Sequence, residues 1–361
     1  MRKIATIVFL ALGVTAADGF SQTNHTIQIK QVLIEPFFAV SNGDEPEFGL
    51  QNALVSAAWD VNTETRAVLT LGKSNLIGAP SRFGSAADDE FGIAEGFVEW
   101  HEEWRGKSSH LRFGLLPLEF GLESGGQEGR RDLSPSLLYQ TRVIGLRDFG
   151  LQYSSGYRQY YAHATIHNGE SGQDLDEKLW ITARFGWSRI GGSQNTANSV
   201  WDIGFGASTG STSAVSTFQV GNPSVDTLFD PTLGACWRLM VWYMKTPGFF
   251  GLLHEKLRTE VEIYLGQVVQ GSFENELLGG RWDIGYRWSD RISLGMRFDS
   301  IDPDRKRAGD EVRQLVAALS FGDKEGAQSL IVEGSVNLTE NATPPDRLLF
   351  LWRFNSVNIE F

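Results

Sequence analysis

One segment of mixed charge, residues 118–146, holds the side chains with the clearest potential for chemistry. That chemistry is electrostatic, because a ring of charge in a narrow passage of low dielectric constant acts strongly on passing ions. Alternatively, Arg130, Arg131 and Arg142 tie the segment to carboxylates elsewhere in the chain, and the two roles can coexist. The candidate residues are Glu119, Glu123, Glu128, Arg130, Arg131, Asp132 and Arg142.

Other chemistry has little support. Ser134 lies near Asp132 but has no assignable histidine partner for nucleophilic catalysis. A glycine-rich phosphate loop of the Walker spacing is absent from the sequence. His163 and His167 share a strand face with Tyr161, but a metal site would need a third ligand, so hydrogen bonding is the favoured interpretation. We therefore expect no enzyme activity, no catalytic residue, no metal and no cofactor.

The elements that must position these charges are β-strands. Over about ten residues at a time, apolar and aromatic residues alternate with polar residues or glycine, which is the period of a strand. In residues 178–187, for example, Ile181 and Phe185 fall on one face, and Thr182 and Arg184 on the other. The stretches of this kind are 27–38, 49–60, 66–75, 93–104, 109–117, 147–155, 158–168, 178–187, 200–209, 232–244, 256–268, 281–288, 292–299, 312–321, 328–338 and 347–361.

The aromatic residues distinguish a membrane barrel from a soluble β-sandwich. Tryptophans recur at the ends of predicted strands, as at Trp100, Trp104, Trp187, Trp282 and Trp288, which is typical of the girdles at the two edges of a bilayer. The opposite face carries charges that require water. A closed barrel with lipid outside and water inside satisfies both faces and leaves no exposed sheet edge. Candidates for its lumen are Arg184, Glu260, Glu262, Asp283, Arg287 and Arg297.

The predicted connections support the same fold. Short turns alternate with longer loops, as expected of an outer-membrane barrel whose termini both lie in the periplasm. Turns are predicted at 61–65, 105–108 and 154–157, and the longest connection is 118–146. We predict an all-β, transmembrane antiparallel β-barrel of about sixteen strands. Counting Ser213–Val220 as a further crossing would give seventeen strands and break the alternation.

The first residues read as an export signal. A positive start, Met1-Arg2-Lys3, precedes an apolar run from Ile4 that ends in the small residues Ala16 and Ala17. We expect a signal peptide at 1–17, the alternative being a membrane anchor, and one barrel domain at 18–361 in the bacterial outer membrane, in contact with its lipid. Removing 1–17 leaves 30 basic and 44 acidic residues, or a net charge of −14. This charge argues against nucleic acid as a partner.

The chain ends on Phe361, with Ile359 and Val357 spaced by two. This ending resembles the assembly signal that the barrel-assembly machinery reads. Phe354 and the apolar residues before it have the opposite phase, so we expect a β-bulge near Asn355.

Residues 112–187 resemble the phosphate-selective porin O/P family of Gram-negative outer membranes, over about a fifth of the chain. The resemblance rests on Arg112–Glu123, Arg130–Ser134, Gly145–Tyr153, His167–Gly169 and Ala183–Phe185. It implies a sixteen-stranded porin that is usually a homotrimer, with a third loop that folds into the lumen and anions such as phosphate among its solutes.

We therefore expect a porin for passive, weakly selective diffusion of small ions and hydrophilic solutes. The alternative is a non-conducting barrel with a structural or adhesion role. The resemblance favours anions and the net charge favours cations. Because exposed charges are screened within roughly 8–10 Å at physiological salt, the mixed loop 118–146 should outweigh the total charge. The expected result is weak selectivity without a saturable phosphate site.

Overall fold

The computed structural model describes residues 27–42, 45–74, 92–104, 107–123, 133–140, 144, 147–168, 179–188, 202–210, 235–247, 256–270, 273–302, 304–306, 308–323, 327–339 and 346–360. The signal segment 1–17, Ser213–Val220 and Phe361 lie outside these residues.

Sixteen antiparallel strands in the described residues form a single sheet that closes into a barrel. Each strand pairs with its neighbours in sequence, and the first and last strands pair from Gln28 with Glu360 to Ser41 with Arg347. The predicted fold class is thus confirmed. The strands are β1 (Ile27–Ser41), β2 (Glu47–Asp60), β3 (Thr65–Ser74), β4 (Gly92–Trp104), β5 (Lys107–Pro117), β6 (Arg147–Tyr157), β7 (Tyr160–His167), β8 (Trp180–Ser188), β9 (Asp202–Gly210), β10 (Ala235–Pro247), β11 (Leu257–Gln270), β12 (Phe273–Ser289), β13 (Ile292–Asp302), β14 (Val312–Gly322), β15 (Gln328–Asn337) and β16 (Arg347–Glu360).

The two faces of the sheet follow the alternation in the sequence. On β8, Ile181 and Phe185 point outward and are 53% and 55% exposed, whereas Thr182 and Arg184 point inward and are buried. A closed ladder pairs the backbone groups between strands, so none needs water at the level of the lipid. A single four-residue helix, α1 (Leu137–Gln140), is found in the described residues. None of the helices described there has the length and apolar character to cross a membrane.

We call the end of the barrel that holds the β2–β3 connection the turn end, and the opposite end the loop end. Trp100, Trp187 and Trp288 lie in the parts of β4, β8 and β12 nearest the turn end. Trp282 instead pairs with Phe298 in the middle of β12, so its predicted place at a strand end is wrong. β12 begins at Phe273, eight residues before the alternating stretch that predicted it. The prediction missed these residues because Gly279 and Gly280 interrupt the apolar pattern, although the strand continues through them.

The lengths of the connections agree with the prediction only in part. The third turn is Arg158-Gln159 rather than 154–157, since β6 and β7 remain paired as far as Tyr157 and Tyr160. Two turn-end connections, 189–201 and 248–256, are long, and the loop-end connection 271–272 is short. β9 pairs directly with β10, so the ring is complete without Ser213–Val220.

The expected bulge near Asn355 is wrong. The register of β16 against β1 runs without a shift from Leu349 to Glu360. The irregularities lie on the other side of β1, where its pairing with β2 shifts between Ile29 and Gln31 and again between Glu35 and Pro36. The register shifts of β1 thus lie in its pairing with β2 and not in its pairing with β16.

Candidate functional site

The third loop, L3, connects β5 to β6 and folds into the lumen as expected. Its described residues are 118–123, 133–140 and 144. Its apolar side chains form a buried core inside the barrel together with inward residues of β7, β11, β12, β13 and β14. The members of this core are Phe120, Leu122, Leu137, Leu138, Tyr139 and Ile144 from L3, and Tyr161, Tyr264, Leu277, Ile301 and Val312 from the wall.

Glycines in the wall make room for the loop. A Cβ on Gly279 would lie 2.5 Å from Leu138, and one on Gly295 would lie 3.1 Å from Leu133. Leu133 also packs against a second buried apolar cluster on β1 and β14–β16. Because burying one Leu or Ile side chain stabilises by about 1.5–3 kcal/mol, this packing alone holds L3 firmly.

The first part of L3 is also fixed by hydrogen bonds from its backbone. The Gly121 carbonyl accepts a hydrogen bond from Arg184 Nη1 at 2.9 Å, and the Leu122 N–H donates to Glu262. Gly121 has φ +94°, and a Cβ there would lie 2.5 Å from the Tyr264 hydroxyl. Only glycine meets both requirements without strain.

Three wall residues, which we call the clamp, hold the second part of L3: Arg297 and Asp299 on β13, and Glu333 on β15. Arg297 donates to the Ser134 carbonyl and, at 3.0 Å, to the Pro135 carbonyl. Glu333 accepts the Ser134 N–H at 2.6 Å, and Asp299 accepts the Leu137 N–H at 3.3 Å. The clamp thus recognises the backbone of L3 rather than its charged side chains.

A cluster of four carboxylates surrounds Arg281 on β12 at mid-height of the barrel. The guanidinium lies 3.3 Å from Glu123 of L3, 3.2 Å from Glu260 and 2.6 Å from Asp283, and it also donates to Glu262. Glu123 accepts a hydrogen bond from the Ser136 hydroxyl as well. Arg281 therefore joins both parts of L3 to β11 and β12.

A second buried network lies on β7–β9, next to Gly121 of L3. Arg184 pairs with Asp202 at 3.4 Å and approaches Glu119 of L3 at 4.0 Å. The Tyr161 hydroxyl donates to Asp202 at 2.5 Å. The side chains of Arg184 and Asp202 are fully buried, so this network is part of the packed interior.

The histidines take part in hydrogen bonds. His167 lies 2.8 Å from Asp148 and 2.8 Å from the Thr182 hydroxyl, and His163 lies 2.9 Å from the Ser154 hydroxyl. The described residues contain no group of three His, Cys, Asp or Glu side chains placed to bind a metal.

The buried charges of the strands and L3 are mostly acidic. All five arginines that are buried in the described residues have a carboxylate partner: Arg147, Arg184, Arg281, Arg297 and Arg353. The buried carboxylates of the described strands and L3 are Glu35, Glu95, Glu99, Glu123, Asp148, Asp202, Glu260, Glu262, Asp283, Asp299 and Glu333.

The predicted residues are only partly brought together. Glu119 and Glu123 lie in L3, and the wall candidates Arg184, Glu260, Glu262, Asp283 and Arg297 all contact L3 or the charges that hold it. Arg287 lies apart from them, exposed near the turn end of β12. The loop candidates Glu128, Arg130, Arg131, Asp132 and Arg142 lie outside the described residues.

Sequence reasoning missed Arg281, Asp202 and Tyr264. Arg281 precedes Asp283 by two residues in the same inward alternation, a signal that could have identified it. Asp202 was hidden because it is the first residue of β9, next to a long connection. Tyr264 follows Glu260 and Glu262 in the same inward alternation, a signal that could have identified it.

A closed sixteen-stranded barrel with a loop fixed inside its lumen defines the fold of outer-membrane porins. Solved structures with this fold include the outer-membrane channel DcaP of Acinetobacter baumannii, which is 10% identical with a TM-score of 0.59 and coverage of 94% of this chain and 99% of that one. The trimer form of Vibrio cholerae OmpT is 8% identical, with a TM-score of 0.60 and coverage of 92% and 100%. Salmonella typhi OmpF is 7% identical, with a TM-score of 0.55 and coverage of 91% and 97%. No protein-family model and no curated protein matches the chain.

Proposed function

We propose that this protein is an outer-membrane porin for passive, weakly selective diffusion of small hydrophilic solutes and ions. The observation that carries the proposal is a closed barrel with an apolar outer face and a charged inner face, narrowed at mid-height by L3. A charged inner face requires water, and a sixteen-stranded barrel is wide enough to contain a channel.

The proposal is tested by reconstituting the protein, without its signal segment, in planar lipid bilayers. Stepwise current increases are expected as single barrels insert, because each adds one aqueous path. A protein that is folded and inserted but gives no conductance, and no swelling of sugar-loaded liposomes, would contradict it.

The second candidate is a non-conducting barrel with a structural or adhesion role. The observation in its favour is the packed apolar core between L3 and the wall, which occupies part of the lumen. The same bilayer recording separates the two functions, since only a channel passes current.

The proposed location is the bacterial outer membrane, in contact with its lipid, after export and insertion by the barrel-assembly machinery. The protein is expected to fractionate with outer membranes and to change its migration in detergent gels on boiling, because a closed ladder of strand hydrogen bonds resists detergent. Recovery in the soluble periplasm would contradict this location.

The finer assignments are proposals too. OmpT has been solved in a trimer form, which supports a homotrimer here. The resemblance of residues 112–187 to the phosphate-selective porin O/P family supports anions such as phosphate among the solutes. The carboxylate partners of the buried arginines support weak selectivity without a saturable phosphate site.

A further inference from the structure

The outer face of β5–β8 changes character at the turn end of the barrel. Strand register places one residue of each strand at the same height there, and these residues are Lys107, Tyr157, Tyr160 and Trp187. Two positions deeper in the membrane, the same face of β5–β7 carries the small residues Ser109, Ser155 and Ala162. The outer wall therefore has a shallow depression beneath a row of aromatic rings.

We infer that this surface binds the headgroup of an anionic phospholipid. We call it the headgroup site, and it consists of Lys107, Ser109, Tyr153, Tyr157 and Arg158. Lys107 and Arg158 bind the phosphate, and the hydroxyl groups of the depression bind the rest of the headgroup. The inference goes beyond the proposed porin function, because the site lies on the outer wall and needs no current through the lumen.

Both cations of the headgroup site are exposed and lie beside tyrosines. Lys107 interacts with the Tyr153 hydroxyl. The Arg158 guanidinium lies over the Tyr157 ring, 5.2 Å from its centroid. A guanidinium that stacks on a ring keeps its N–H groups at the edge of its plane, so it can donate to a phosphate without leaving the ring.

The charges on the outer face of β4–β8 favour an anion. Outward positions of these strands and the β6–β7 turn carry Lys107, Arg158 and the acid Glu102, which pairs with Ser109 at the β4 edge of the depression. Glu103 follows on the inward side of the alternation. Arg105, in the β4–β5 connection, lies outside the described residues and is positive. Positive charge therefore predominates around the headgroup site.

The backbone of Arg158 is a separate observation that points to a ligand. Arg158 has φ +56°, and among the described residues it alone combines a positive φ with a side chain other than glycine. It is the first residue of a two-residue hairpin connection, where glycine or asparagine adopts this conformation most readily. An arginine at this position costs backbone energy that glycine would avoid, which indicates a use for its side chain outside the turn.

The depth of the headgroup site matches the boundary between lipid headgroups and acyl chains, where Tyr and Trp rings concentrate in membrane proteins. Trp187 Nε1 donates to Gln159 Oε1 at 2.8 Å, and the Tyr153 hydroxyl lies 3.3 Å from the Ser109 hydroxyl. The polar atoms of both rings thus point toward the turn end. Outward residues deeper in the membrane are apolar and exposed, and they are Leu111, Leu151, Ile166 and Ile181. This arrangement fits a phosphate joined to acyl chains rather than a free phosphate.

The test is lipid binding by the whole protein, folded in a nonionic detergent and measured by native mass spectrometry. The probes are phosphatidylglycerol and phosphatidylcholine with the same acyl chains, and phosphatidylglycerol is expected to bind more tightly. Lys107→Gln and Arg158→Gln should each weaken its binding by about fivefold and leave phosphatidylcholine unaffected, because each removes one cation beside an anionic headgroup. Glu102→Gln removes the opposing charge and should strengthen it.

The matched control is Arg291→Gln. Arg291 is also exposed, in the β12–β13 turn at the same end of the barrel, but it lies on other strands. Its replacement should leave the affinity for phosphatidylglycerol unchanged.

Three results would overturn the inference. The first is equal binding of the two lipids by the unmodified protein, which decides even where a variant does not fold. The second is an equal loss in Arg158→Gln and Arg291→Gln, since any cation at the turn end would then serve. The third is displacement of phosphatidylglycerol by glycerol phosphate at the same concentration, which would assign the site to a free phosphate. A folded protein that passes no current would contradict the porin function and leave these results unchanged.

Discussion

Replacing Arg281 with methionine is expected to cause the largest loss of stability of any single change in the lumen. The guanidinium is the shared partner of Glu123, Glu260, Glu262 and Asp283. Without it, four carboxylates remain close together in the interior. Removing one partner of a buried ion pair costs about 3–5 kcal/mol, because the charge left behind has no counter-ion. The measurement is urea unfolding in lipid vesicles, followed by tryptophan fluorescence and by the heat-dependent gel shift.

Two variants make this result specific. Arg258→Met, on β11, removes a guanidinium that is 45% exposed and lies 3.5 Å from Glu260, so its effect should remain below about 1 kcal/mol. Adding Asp283→Asn to Arg281→Met removes one of the four negative charges that have lost their shared guanidinium. The double variant should therefore recover part of the lost stability. Equal stability of Arg281→Met and Arg258→Met would show that the four carboxylates do not depend on Arg281.

The sequence predicted the barrel well because the faces of a strand alternate with a fixed period. On β8, the outward and inward assignments of Phe185 and Arg184 hold in the structure. The errors in the predicted strand ends occur where backbone hydrogen bonding continues beyond the stretch of alternating apolar residues. β12 begins eight residues before its alternating stretch, and β6 continues past Gly156, which has the composition of a turn but lies within a strand.

The candidate site was less predictable. Several of the charged wall residues that hold L3 could be identified because they lie mid-strand on the inward face. The L3 residues that these side chains bind could not be identified from the sequence. The clamp binds backbone N–H and carbonyl groups, which do not distinguish one residue type from another. The hydrogen bond from the Leu137 N–H to Asp299 spans 162 positions of sequence and depends on how far L3 reaches across the lumen. Nothing in the local pattern of Ser134–Leu137 encodes that distance.

The clamp leads to the second large effect, which is on conductance. Arg297→Ala is expected to widen the channel: single-channel conductance should rise by about twofold or more, with noisier open levels, since a loop that loses its anchors samples more positions. The substitution removes the donors of the Ser134 and Pro135 carbonyls and the ion-pair partner of Asp299, 2.7 Å away. Hydrogen bonds from charged groups contribute about 1.5–3 kcal/mol each, so this loss rivals the packing of one or two leucines of L3.

The matched control for this prediction is Arg313→Ala on the neighbouring strand β14. Arg313 is also paired with a carboxylate, Glu311, but it is exposed near the loop end, and among the described residues its side chain pairs with Glu311 rather than with L3. Its conductance should equal that of the unmodified protein. Suppose instead that Arg297→Ala folds and inserts normally but keeps the conductance and noise of the unmodified protein. In that case the contacts of Arg297 with the L3 backbone do not set the width of the channel. The packing of Leu133 against Gly295, and of Leu138 against Gly279, would then be enough to hold L3 in place.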